Sequence, residues 1–165
     1  MKKAIELLIT HYQNEKNTEE ILPYNQEIID FYQKTIPILT NHMISLTNPI
    51  VKSIIEQELE RTKYFLKNYL LTRLKKISLK MKINLEFLSE AEKIFYEKMI
   101  NFYKEEDIFV DEESVCDEIV GFISNVSNKR VMLDGKPVEL KQGDFFICNV
   151  KDVIELVYEN EINLI

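Results

Sequence analysis

The side chains in this 165-residue sequence that could do chemistry are few and scattered. Its two histidines, His11 and His42, fall on different predicted helices, and neither has cysteines or carboxylates at metal-ligand spacing. A helix-surface or capping role is expected for both. Cys116 and Cys148 are far apart and match neither a zinc spacing nor a disulfide framework, which points to a reducing compartment. Cys148 falls in a predicted strand and is expected in the core. Cys116 sits among acids that raise its pKa and blunt it as a nucleophile. Acid pairs such as Glu58/Glu60 and Glu112/Glu113 could act as general acid and base only inside a cleft that perturbs them, and no such cleft is legible. The first glycine is Gly121, so no glycine-rich phosphate loop precedes any earlier helix. No serine or threonine stands in a nucleophile-elbow context. The expectation is a non-catalytic assembly protein with no catalytic residue, no metal and no cofactor.

The stronger signal is a run of charge. Between Arg61 and Lys82 stand eight bases (Arg61, Lys63, Lys67, Arg73, Lys75, Lys76, Lys80, Lys82) and no acid. Residues 105–118 hold eight acids and no base. The basic run could be a solvated face, a salt-bridged subunit interface or a phosphate-binding surface. It could also meet the acidic stretch within the chain. The net charge of −7 leans against a protein whose main task is to coat nucleic acid. The tyrosines and phenylalanines are spread at core-like spacing, which is not the pattern of a base-stacking platform.

The elements that must position these residues follow from periodicity. Val51, Ile54, Ile55, Leu59, Thr62, Leu66, Tyr69, Leu70, Leu74, Ile77 and Met81 recur at steps of three and four, the face of one helix over 50–82. Asn48-Pro49 supplies its start. At 1.5 Å per residue it would be about 50 Å long, more than one small chain can cover, so part of it is expected to pack on another protein. Before it, the spacing predicts a helix over 3–13 ended by residues 14–17, a short helical turn over 18–23 stopped by Pro23, and a helix over 25–46 kinked or divided at Pro37. Ser89-Glu90-Ala91-Glu92 is a capping-box signature opening a helix to about residue 104. The composition then changes. Strands are predicted at 119–124, 130–133, 138–140, 145–150 and 161–165, with a hairpin at Asp134-Gly135, Pro137 marking an edge strand, and a helix over 151–158. The fold class is therefore α+β: an N-terminal all-α domain at 1–104, an acidic linker at 105–117 and a small β-rich domain at 118–165. The last has too little material for comfortable independent stability. The apolar final pair Leu164-Ile165 is expected to be buried in that domain or against a partner. The basic N-terminal start reads as helix and not as a signal peptide, and no apolar run approaches the ~18–20 residues that span a bilayer.

The stretches Glu60-Arg61-Thr62-Lys63-Tyr64 and Tyr69-Leu70-Leu71-Thr72-Arg73-Leu74-Lys75-Lys76-Ile77 resemble the signature helix of the Sld-five-type subunit of the GINS complex, with its E-R-x-R-Y and Y-L-R-x-R-L-x-K-I patterns. Asn14-Glu15-Lys16 with Ile21-Leu22-Pro23 is similar to the family's N-E-K and E-I-L-P element. Leu88-Ser89-Glu90-Ala91-Glu92 is similar to its L-S-P-E-E helix start. Gln142-Gly143-Asp144, Ile154-Glu155-Leu156-Val157 and Leu164-Ile165 are similar to its closing motifs. Lys63 and Leu71 depart from the pattern, standing where relatives often have arginine. The linker is also shorter and more acidic than usual. The Psf-one-type and archaeal-type subunits share the domain order, but the E-R-x-x-Y and R-L-x-K-I elements favour the Sld-five type.

The resemblance implies a helical A domain followed by a β-rich B domain. It also implies a nuclear scaffold role in DNA replication, within a heterotetramer with three other GINS subunits. That complex joins the MCM motor and Cdc-forty-five in the replicative helicase and helps connect it to DNA polymerase epsilon. It implies subunit-interface roles for Arg61, Tyr69, Arg73, Leu74, Lys76, Ile77, Leu156, Leu164 and Ile165. The alternative is a nucleic-acid-binding helical module that uses the basic face at 61–82.

Overall fold

The computed structural model describes residues 2–80, 82–105 and 118–165. Met81, Cys116 and most of the acidic stretch, with its Glu112/Glu113 pair, lie outside the described residues. The chain is α+β, with α1 (Lys2–Lys16), α2 (Gln26–Ser45), α3 (Pro49–Leu79), a short 3-10 turn (Leu85–Phe87) and α4 (Glu90–Glu105) preceding the strands. Local chemistry sets most of these boundaries. Asn25 caps α2 by accepting from the Ile28 amide, and Asn48 caps α3 by accepting from the amides of Ile50 and Val51, with Pro49 in the first turn. Ser89 and Glu92 form the reciprocal capping box: the Glu92 amide donates to Ser89 Oγ at 3.3 Å, and the Ser89 amide donates to Glu92 Oε2 at 2.9 Å. Pro37 does not divide α2, which runs continuously through it.

Two N-terminal expectations are corrected, for one reason. Helix α1 continues one turn further than its apolar pattern, to Lys16, and residues 18–23 are not helical. In both places the polar groups find distant partners. Asn14 Oδ1 accepts from the Leu164 amide at 2.9 Å, and Glu15 is fully buried beside Arg73 and Lys76. Beyond the helix, the Glu118 carboxylate takes Thr18 Oγ1 and the amides of Glu19 and Glu20 at 2.6, 2.7 and 3.0 Å. The Glu20 and Leu22 carbonyls accept from Lys76 and Arg73. A backbone whose donors and acceptors are satisfied this way has no need of helical bonds.

The C-terminal part has β1 (Ile119–Ser124), β2 (Lys129–Leu133), β3 (Lys136–Leu140), β4 (Phe145–Asn149), α5 (Val150–Tyr158) and β5 (Ile162–Leu164). Strand β1 is central in an antiparallel sheet of order β4-β1-β5, and β2 and β3 form a separate hairpin. Its turn residues Asp134 and Gly135 both have positive φ, 49° and 74°, which twists the hairpin in the favoured sense. One core joins Val120, Phe122 and Cys148 of the sheet to Leu133 and Leu140 at the two ends of the hairpin and to Val153, Leu156 and Val157 of α5. Leu22, from the segment after α1, completes it.

Helices α2 and α3, joined by three residues, form a helical hairpin of which only the base is covered. None of residues 33–58 is buried, and Ile38, Ile44, Ile50 and Ile54 are 66%, 70%, 71% and 56% exposed around the bend. With 31 residues α3 is about 46 Å long, and its first buried residue is Leu59, ten residues past its start at Pro49.

Candidate functional site

The polar chemistry of this chain converges on Arg73. Positions 69, 73 and 77 lie one helical turn apart on the buried seam of α3, so the guanidinium is carried into the interior. All five of its N–H groups are used. Nε donates to Glu92 Oε1 at 2.8 Å, Nη1 to Glu15 Oε2 at 2.9 Å and to the Leu22 carbonyl at 2.6 Å. Nη2 donates to the Phe87 carbonyl at 2.8 Å and to Glu92 Oε2 at 3.2 Å. The rings of Tyr24 and Tyr69 lie 5.2 and 5.7 Å from its centre. Lys76 reaches Glu15 Oε1 and the Glu20 carbonyl, both at 2.7 Å. Two carboxylates thus face two cations, and the cluster ties α1, residues 20–22, α3, the 3-10 turn and α4 together. Burial works against the charge of Arg73, but the hydrogen bonds to Glu92 and the charge of Glu15 hold its pKa above the ordinary value.

This is a structural centre. Among the described residues no thiol or imidazole contributes to it. Cys148 is buried in the C-terminal core, where burial pushes its pKa up to about 11 and keeps it an unreactive thiol. His42 is exposed near the end of α2. His11 is buried, contrary to the surface or capping role expected, and its Nε2 lies 3.2 Å from Asn25 Nδ2, so the residue that caps α2 is itself held from α1. Asn25 donates there, which requires the neutral imidazole. Burial lowers the His11 pKa from 6.5 to about 4. Between those values the unfolded chain binds a proton that the folded chain refuses, so stability is complete above about pH 6.5 and falls as the pH drops toward 4. His11→Gln is expected to flatten this dependence, by up to about 3 kcal/mol at the acid end, in melting curves recorded across that range. Among the described residues no group of three His, Cys, Asp or Glu side chains could hold a metal ion, and no helix is long and apolar enough to cross a membrane.

The residues singled out in the sequence are placed differently from one another. Tyr69, Arg73 and Ile77 are buried along α3 and Leu156 and Leu164 in the C-terminal core, all with contacts inside the chain. Lys76 is mostly covered and Leu74 half-buried. Arg61 is exposed and lies 4.0 Å from Glu58. Ile165 is 61% exposed. The basic run does not form one face: Arg73, Lys76 and Lys80 turn inward to Glu15, Glu92 and Glu20, while Arg61 and Lys63 pair along the helix.

Two surfaces were not anticipated. On the outer side of the sheet, Ile119, Ile123, Phe145 and Ile147 are 71%, 37%, 55% and 63% exposed, and the ring of Phe145 lies over Gly121, where an added Cβ would stand a tight 3.1 Å from it. Ile165, whose amide bonds the Gly121 carbonyl, continues this strip. Its signal was present in the sequence: Ile119-Val120-Gly121-Phe122-Ile123 and Phe145-Phe146-Ile147-Cys148 are apolar in both phases of the strand period, the pattern of a sheet covered on both sides. The second surface is a cleft of about 350 Å³ at the base of the helical hairpin, between Ile5, Tyr32, Ile36, Leu39 and Arg61. The hydroxyl of Tyr32 is shut off from solvent and has no hydrogen-bond partner among the described residues.

An α+β chain that commits its buried charges to holding its own elements together, and leaves apolar surface open on both parts, has the make-up of an assembly subunit. Over 101 residues it is 33% identical to the DNA replication complex GINS protein SLD5 of Arabidopsis thaliana. That match covers 55% of this chain and 46% of the Arabidopsis protein, less than half of the relative's length. It bears out the resemblance to an Sld-five-type GINS subunit. No family model matches the chain.

Proposed function

We propose that this protein is a non-catalytic scaffold subunit of a GINS-type complex acting in DNA replication. The observation that carries the proposal is the uncovered helical hairpin: residues 33–58 include no buried residue yet present four strongly exposed isoleucines. Helices hold their shape mainly through tertiary packing, and exposed apolar patches of this kind mark contact surfaces. The outer sheet strip gives a second apolar face. Two separate faces suit a subunit held between neighbours better than a simple pair. The cleft lined by Tyr32, Ile36 and Leu39 lies beside the hairpin and would receive an apolar partner side chain.

In this proposal residues 1–104 and 118–165 are two domains joined through 105–117. The partners are three related subunits, and the complex meets the MCM motor, Cdc-forty-five and DNA polymerase epsilon in the nucleus. Interface roles fall to Arg61, Leu74 and Ile165, which are at least partly open, and to the exposed isoleucines. Tyr69, Arg73, Lys76, Ile77, Leu156 and Leu164 act through the fold that presents them. The nucleic-acid alternative is weakened because three of the eight bases at 61–82 are turned into the chain. The test is the native mass of the chain co-expressed with three related GINS chains.

A further inference from the structure

A groove of about 530 Å³ runs along the seam between the helical and β-rich parts. One wall is Pro23, Tyr24 and the 3-10 turn, and the other is α5. The first wall is rigid: the Tyr24 amide donates to the Phe87 carbonyl at 3.0 Å, and Arg73 both stacks on Tyr24 and donates to that same carbonyl. The second belongs to a helix capped by Asn149 and rooted in the core through Val153, Leu156 and Val157. Tyr24 and Phe87 face the groove from one side and Tyr158, 53% exposed, from the other.

The charge on this lining is one-sided. Glu86, Glu155 and Glu159 stand against the single Lys151. Glu159 is engaged by Lys129 at 2.8 Å, whereas Glu86 and Glu155, one from each wall, are exposed and have no ion pair among the described residues. Aromatic faces with carboxylates on both sides are the chemistry that recognises a guanidinium or ammonium group.

We propose that this groove binds an arginine- or lysine-bearing peptide segment of a partner protein, its cation held by Glu86 and Glu155 over the tyrosine and phenylalanine rings and its neighbouring apolar residues against Pro23 and Ile154. The site is separate from the apolar hairpin and the sheet strip, so it does not depend on the assembly proposed above. Pre-formed walls mean that little ordering opposes binding.

The test is fluorescence anisotropy with a short labelled peptide alternating arginine and leucine, and the same peptide with glutamate in place of arginine. Both are titrated into the full-length protein in the complex with which it purifies. Binding of the arginine peptide is expected, with affinity falling about tenfold in E86Q/E155Q and several-fold in Y158A. A control double variant on α2 and α4, E27Q/E97Q, is expected to leave binding unchanged. All these side chains are exposed, so folding is not at issue. Equal weakening by both double variants would show diffuse attraction to an acidic surface and overturn the proposal. Equal binding of the glutamate peptide, or no binding of the arginine peptide, would do the same.

Discussion

Replacing Arg73 with alanine is expected to abolish the folded helical part, lowering stability by at least about 3–5 kcal/mol, the usual result of removing one partner from a buried ion pair. The effect here should lie at the upper end. The substitution leaves Glu15 and Glu92 as buried carboxylates with only Lys76 and Ser89 to answer them, and it removes the donors to the Leu22 and Phe87 carbonyls. It also opens a hole between Tyr24 and Tyr69. Domains are commonly stable by only about 5–15 kcal/mol, so the variant should be recovered mainly as aggregate. Arg73→Lys keeps the charge but not the fork; a single ammonium cannot reach both carboxylates and both carbonyls, and an intermediate loss is expected. Arg73→Met combined with Glu15→Gln and Glu92→Gln removes the unpaired charges and should recover part of the loss. The soluble yield of the four proteins on co-expression, with denaturant midpoints for those recovered, checks this order. An Arg73→Ala midpoint equal to that of the parent would refute a structural role for the cluster.

The second large effect is expected from a change that leaves the fold intact. Ile50 and Ile54 lie one turn apart on the uncovered start of α3. Converting both to aspartate costs the folded chain little, since exposed substitutions away from special features usually change stability by within about 0.5 kcal/mol. If this face is covered in a complex, two carboxylates must be desolvated in an apolar contact. Losses of about 2 kcal/mol or more per central residue are typical of such positions, so the pair should weaken association by several hundred-fold or more. The expected result is loss of partner co-purification, the variant then having the same solubility as the parent chain expressed alone. Retained co-purification would remove the hairpin from the interface.

The contrast between these two variants marks how far the sequence could be read. Elements defined by local chemistry were legible: the Asn48-Pro49 start of α3, the Ser89–Glu92 box and the Asp134-Gly135 hairpin each rest on residues close in sequence. The path of residues 18–23 was not, because it is fixed by Glu118, about a hundred positions away, and by Arg73 and Lys76. In the sequence Arg73 counts with the basic run of α3, although it stands one turn from Tyr69 and Ile77 and shares their buried side. What it faces depends on Glu15 and Glu92, which periodicity within one helix cannot locate. The length of α3 foretold an uncovered portion, and the structure puts it at the N-terminal turns, among the isoleucines and away from the basic residues. The outer sheet strip was visible as strands apolar in both phases.

The most direct measurement of the central claim is the native mass of the full chain, expressed alone and together with three related GINS chains. The account predicts aggregation or poor solubility alone, and a stable 1:1:1:1 complex on co-expression that is lost in the Ile50→Asp/Ile54→Asp variant. A monodisperse monomer with a cooperative melt, unchanged in mass by the other chains, would contradict it.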